Sequence, residues 1–198
     1  MKRTTLGLFA LALASGCIAT PEAPPPARWF ALEGRGADEP GGLARGLPLR
    51  LRRVRAPAYL DEKVVWRRGV EVGFYQDRRW AETPANLVER ALGDQLFLAG
   101  GLVRGESKAP ALEVTIARFE ELVEPSHEAR VALGLLLRDD AGRTLLEQTV
   151  FASESVPDGE DAAAAFARAM DRALGAALRD TSRAVTEALA AARERPAG

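Results

Sequence analysis

The 198 residues include one cysteine, one histidine, two tyrosines and two methionines, and the formal net charge at pH 7 is −1. A lone Cys forms no intramolecular disulfide, and one Cys with one His cannot complete a zinc site. The near-zero charge gives no electrostatic footprint for nucleic acid. No apolar run approaches the roughly 20 residues of a membrane-spanning helix. A Gly-x-x-x-x-Gly-Lys-[Ser/Thr] loop is absent, since Gly101 to Lys108 has the wrong glycine spacing. No Gly-x-Ser-x-Gly elbow occurs either. Thiol, metal, P-loop and nucleophile-elbow chemistry are thereby set aside. What remains is 47% hydrophobic and 28% charged, the composition of one soluble domain with a real core.

The N-terminus reads as an export signal. Lys2 and Arg3 precede the apolar stretch Leu6 to Ala14, which is too short to span a bilayer. Ala14-Ser15-Gly16-Cys17 follows, with small residues directly before the Cys, as in a bacterial lipobox. Leu is usual three places before that Cys; here Ala14 stands there. Ordinary cleavage after Ala12-Leu13-Ala14 is the other reading of this segment. Processing before Cys17 would leave 25 basic against 28 acidic residues, a balance of −3. The expected modification is a covalent diacylglycerol and acyl (palmitate) anchor on Cys17, and no other cofactor is expected. Each buried CH₂ of such chains contributes about 0.8 kcal/mol, and several chains hold stably. Ile18, rather than Asp, follows Cys17, which favours the periplasmic face of the outer membrane.

Four domain segments result: a signal peptide at 1–16, a lipidated Cys with a Pro-rich tether at 17–28, a folded domain at 29–192 and a disordered tail at 193–198. Pro21, Pro24, Pro25 and Pro26 make the tether stiff and extended, without a packing face. Trp29 to Leu32 predicts a short strand, and Leu47, Leu49 and Leu51 alternate as in a half-buried strand. Val64 to Arg67 and Val70 to Tyr75 predict two more strands around Gly69. Thr83-Pro84 starts a helix carrying Leu87, Val88, Ala91, Leu92, Gln95, Leu96 and Leu98, which Gly100-Gly101 ends. Leu112 to Ala117, Val131 to Leu137 and Leu145 to Ala152 predict three strands, the last two joined by a turn at Asp139-Asp140-Ala141-Gly142. From Asp161 a long helix places Phe166, Met170, Leu174, Leu178, Val185 and Leu189 on one stripe. Arg168, Asp171, Arg172, Arg179, Asp180 and Arg183 face outward and are spaced to pair along the helix. The fold class is α+β, with a single antiparallel or mixed sheet of about six or seven strands and two helices on one face.

Charges segregate along the chain. Arg45 to Arg79 holds ten basic and four acidic residues, and Glu106 to Asp161 holds thirteen acidic and five basic. Either basic and acidic strands are neighbours in the sheet, or the first half is a basic surface for anionic headgroups or an acidic partner. Glu120-Glu121 and Asp139-Asp140 are expected to be solvated at strand ends and turns. His127, in Pro125-Ser126-His127-Glu128, is expected to be a surface turn residue. Aromatics cluster in the basic stretch: Tyr59, Trp66, Phe74, Tyr75 and Trp80. They serve core packing or, with their arginines, a protein interface.

Ala56-Pro57-Ala58-Tyr59-Leu60-Asp61, then Val64-Val65-Trp66-Arg67, then Arg79-Trp80-Ala81-Glu82-Thr83-Pro84 resembles the ABC-type transport auxiliary lipoprotein family. That family shows a Pro-x-Tyr-Leu-Asp element, a short apolar strand ending in Arg, and a Tyr…Arg-Trp-Ala-Glu-x-Pro segment entering a helix. The likeness runs in order from about residue 28 to 190, and Glu106 to Val156 matches by pattern only. It implies a non-enzymatic periplasmic lipoprotein accompanying MCE-type lipid transport systems. The implied partners are a periplasmic MCE-domain protein, through it the ABC permease and ATPase, the membrane, a phospholipid and further copies of the chain. The candidate docking residues are Tyr59, Asp61, Trp66, Arg67, Tyr75, Arg79 and Trp80. A structural or assembly lipoprotein of the cell envelope is the alternative. A lipid-handling enzyme acting through an acid or Ser126, and direct lipid carriage between helix and sheet, are two further readings.

Overall fold

The computed structural model describes residues 26–35, 45–159 and 161–194. The signal segment, Cys17 and the tether as far as Pro25 lie outside the described residues. Among the described residues eight strands and two α-helices are formed: β1 (Arg28–Phe30), β2 (Pro48–Leu51), β3 (Lys63–Arg68), β4 (Glu71–Trp80), α1 (Pro84–Gly93), β5 (Val103–Arg104), β6 (Ala111–Glu124), β7 (Glu128–Arg138), β8 (Thr144–Ser155) and α2 (Ala162–Glu194). α2 runs through Glu194, so residues 193 and 194 of the expected tail are helical, and residues 195–198 lie outside the described residues.

The long strand β6 is the spine of one mixed sheet. On one side it pairs antiparallel with β7, which pairs antiparallel with β8. On the other side it takes two short parallel strands end to end, β2 at its start (Arg50 opposite Ala111) and β3 near its end (Trp66 opposite Glu121). Beyond β3 lie β4, antiparallel, and β1, parallel to β4 with Arg28 opposite Arg78. Thus the basic first-half strands do neighbour the acidic second-half strand, as one of the two charge readings required.

A register shift between Ile116 and Arg118 inserts Ala117 as a bulge. Before it Leu112, Val114 and Ile116 face the helices; after it Phe119 and Glu121 do. Alternation in the sequence ends at Ala117, so the predicted strand ended there, whereas the bulge only changes its phase and β6 continues to Glu124.

The helices cover one face. α2 lies across β7 and β8, and α1 packs beside it. Phe166, Met170, Leu174, Leu178, Val185 and Leu189 are buried as predicted, with Ala169, Ala173 and Ala177 allowing close approach. Pro84 occupies the first turn of α1, although the Thr83 side chain makes no capping bond. Past Gly93 the helix widens into a π turn, Asp94–Ala99. That rotates Leu98 off the apolar stripe and leaves it 79% exposed, against expectation. Gly100 donates its N–H to Gln95 O, and Gly101 (φ 71°) ends the helix.

The outward charges of α2 pair less among themselves than their spacing allows. Arg183 does bond Asp180, but Arg172 reaches Glu154 on β8. Asp171 instead accepts the backbone N–H groups of Glu33 and Gly34 at 2.9 and 2.8 Å. Gly34 has φ 62°, and a Cβ there would stand 3.0 Å from both Ala91 and Leu174. The segment after β1 is thus strapped over the junction of α1 and α2 where only glycine fits.

Candidate docking site

The residues singled out in the sequence converge on β3, β4 and the far end of β6, but their roles divide. Asp61 Oδ1 accepts the N–H of Lys63 at 2.7 Å and turns the chain into β3. The preceding turn is closed by Leu60 N–H to Pro57 O, with Leu60 buried and Tyr59 exposed. Arg79 donates Nη1 to the carbonyls of Tyr75 (2.9 Å) and Arg78 (2.7 Å). It thereby fastens β4 where the β3–β4 register shifts.

Trp80 is not a surface residue. It is 2% exposed, packed edge-on against Phe119 (centroids 5.5 Å) and tilted against Phe166 (5.8 Å). Its position beside Arg79 gave it the look of an interface residue. Arg79 turns to the backbone and strand alternation sends Trp80 into the core, so Trp80 leaves the docking set. Its indole Nε1 has no hydrogen-bond partner among the described residues.

Glu120 and Glu121 correct the expectation of solvated strand-end acids. They are 1% and 2% exposed, inside β6. Glu120 faces away from the helices and accepts Arg67 Nε at 2.7 Å and Arg118 Nη1 at 3.0 Å. That bond, with the nearby carboxylate charge, raises the Arg67 guanidinium further above its already high value. Glu121 points to the helix face and meets Arg78 Nη1 at 3.2 Å and His127 Nε2 at 2.6 Å. His127 is therefore half-buried and bonded to a carboxylate rather than free on a turn. Arg78 also lies over the Tyr75 ring, 3.8 Å from its centroid. Burial first, then the Glu121 charge, pushes the Tyr75 phenol up to about 12. Tyr75 and Arg78 thus belong to an internal polar cluster.

The surface that remains lies on the other face of the β3–β4 hairpin. Arg67 is opposite Val72, and Val65 is opposite Phe74. Tyr59, Val72 and Phe74 are exposed there, and Lys63 Nζ stands 5.6 Å from the Phe74 ring. Exposed aromatic and apolar groups beside Arg and Lys are the composition of a protein interface. Trp66, half-buried, covers Gly73 on the opposite face, where a Cβ would meet its ring. Val72 was missed in the sequence, because only the β4 register shows that it shares a face with Arg67 and Phe74. Among the described residues no group of three or more His, Cys, Asp or Glu is placed to hold a metal. No described helix is long and apolar enough to cross a membrane.

Residues 30–181 match the family model for the ABC-type transport auxiliary lipoprotein component. A crystal structure of a Xanthomonas campestris protein of the DUF330 family superposes with a TM-score of 0.72 at 17% identity, covering 84% of this chain and 98% of that one. A second crystal structure, of an uncharacterised protein, gives 0.63 at 16% identity, covering 81% and 99%. These likenesses show the fold. No curated protein matches the chain.

Proposed function

The chain belongs to the ABC-type transport auxiliary lipoprotein family, and on that premise we propose that it docks the periplasmic MCE component of an intermembrane lipid transport system. Family membership makes the chain a transport-associated lipoprotein of the cell envelope, in a family that is not one of enzymes. In our reading Cys17 carries the acyl anchor in the outer membrane, and the Pro-rich segment holds the domain off the lipid surface. The MCE protein then bears on the outer face of the β3–β4 hairpin.

The observation that carries this reading is the exposure of Tyr59, Val72 and Phe74 around Arg67 on one face of a hairpin that the helices leave uncovered. Tyr59 and Phe74 keep 38% and 37% of their surface in water beside cations, apolar area that a partner surface would bury. Arg67 and Trp80 are poor probes, since one neutralises a buried carboxylate and the other fills the core. The informative variant is Tyr59→Ser with Phe74→Ser. It is expected to lose a periplasmic MCE-domain protein in pull-down while its melting temperature holds. Undiminished capture by the folded double variant would remove this surface from the account. A genome without a neighbouring MCE-domain reading frame would favour the envelope-assembly role.

A further inference from the structure

The β3–β4 hairpin turns through Gly69 (φ 58°) and Val70, and Val70 is 100% exposed. Tight turns are ordinarily filled by Gly, Asn, Asp or Ser, which suit the backbone and the water around it. A β-branched apolar residue at such a tip touches nothing in its own fold. No Cβ contact would form at Gly69 either, so the tip stands clear of the rest of the domain.

The direction of the tip follows from the sheet. β1 is parallel to β4 with Arg28 opposite Arg78, so the chain enters β1 from the side on which β4 begins. That is the side of the hairpin tip. Three residues of β4 are taken up by its register shift against β3, so about five strand residues at about 3.3 Å each put Val70 about 17 Å from the level of Arg78, toward the incoming chain. The eleven peptide steps from Cys17 to Arg28 span at most about 40 Å when fully extended. An anchor on Cys17 is therefore within reach of the level of the tip, on the side from which the chain enters β1. The β7–β8 turn at Ala141 stands at the opposite end, because β6 runs from Ala111, beside Arg138, to Glu124, beside Arg68.

We infer that the Gly69-Val70 tip is a membrane-contact element that enters the headgroup layer of the bilayer holding the Cys17 anchor. This rests on the proposed acylation of Cys17. Behind the tip, Arg68 pairs with Glu124 at 3.3 Å and lies 6.0 Å from the Trp66 ring, and Glu71 is opposite Arg68. These charges sum to −1 and offer no attraction to anionic lipid, so contact depends on the apolar tip and the anchor rather than on lipid charge. The half-buried Trp66 is the kind of residue that suits the interfacial level. With the tip held in lipid, the flank bearing Tyr59 and Phe74 stands close to the membrane, where a partner delivering lipid would meet it.

The natural sequence offers a direct test, because acylation consumes its single thiol. Val70→Cys and, separately, Ala141→Cys would be labelled with an environment-sensitive fluorophore in the full-length lipoprotein. Each would be reconstituted into phosphatidylcholine vesicles and into vesicles containing phosphatidylglycerol. Mass spectrometry would establish acylation of Cys17 in the same preparation. The label at residue 70 is expected to shift to shorter wavelength and be quenched by brominated acyl chains in both lipids, while the label at 141 stays water-like. A water-like residue 70 in an acylated protein overturns the membrane-contact inference and leaves the anchor standing. A shift only with phosphatidylglycerol overturns the apolar mechanism. A Cys17 without acyl chains overturns the anchor reading and this inference together.

Discussion

Glu120 and Glu121, consecutive on β6, send buried carboxylates to opposite faces of the same sheet. One is held by Arg67 and Arg118, the other by Arg78 and His127. Two strands, β3 and β4, are thereby tied to β6 through charges that the sheet's backbone ladder alone does not supply. Buried charge is costly unless paired, so each acid is tolerable only while its arginine stays.

Replacing Glu120 by Ala leaves Arg67 and Arg118 facing a desolvated gap. The expected loss is about 3 kcal/mol of unfolding free energy, read by urea denaturation. Arg67→Met restores much of it in the double variant, because the guanidinium left unpaired beside the gap is then removed.

Trp80→Ala should cost about 3–5 kcal/mol by opening a cavity between Phe119 and Phe166. Trp80→Phe keeps an aromatic ring and removes the unpartnered indole N–H, so its cost should stay below about 1.5 kcal/mol. Equal losses for the two variants would contradict the packing described for this side chain.

Arg28 and Asp161 form two side-chain hydrogen bonds of 2.8 Å, and Asp161 also accepts the N–H of Ala164 at the start of α2. The Arg28 bond, then the Ala164 N–H, holds the Asp161 carboxyl well below the usual carboxylate range. A depressed folded value means that the stabilisation is complete above the unfolded value and lost as pH falls through the folded one. Arg28→Ala should therefore be less stable than the wild type at pH 7, with the gap constant toward mild acid and closing only below the ordinary carboxylate range. Paired denaturation curves across pH would show this.

Tyr75 makes the converse prediction. Its raised value of about 12 means that the folded state keeps a proton the unfolded chain gives up from about pH 10. Stability should fall as pH rises through that interval, and less steeply in Tyr75→Phe. Alkaline absorbance titration should show a late tyrosinate phase that the variant lacks.

The parts of the fold readable in the sequence are those with one uninterrupted period. Leu133 to Leu137, the Asp139 to Gly142 turn and the α2 stripe all keep their period, and all are where it places them. The rest depended on phase changes. The bulge at Ala117 hid the inner half of β6 and made two core carboxylates look solvated. The π turn after Gly93 carried Leu98 to the surface. Parallel pairing set β3 beside β6 from far along the chain, so the partnership of Arg67 with Glu120 was visible only as an excess of opposite charge in two regions. At the candidate site, the Arg79-Trp80 signature reads as a surface by composition and is scaffold by geometry. Tyr59 and Arg67 keep their outward face.

The central claim is that the outer face of the β3–β4 hairpin binds the MCE component. Its most direct measurement is the affinity of the purified wild type and of Tyr59→Ser/Phe74→Ser for that protein, by surface-immobilised titration. The account predicts at least about a tenfold loss, equivalent to about 1.4 kcal/mol, with unchanged thermal stability. Equal affinities for two equally folded proteins would contradict it.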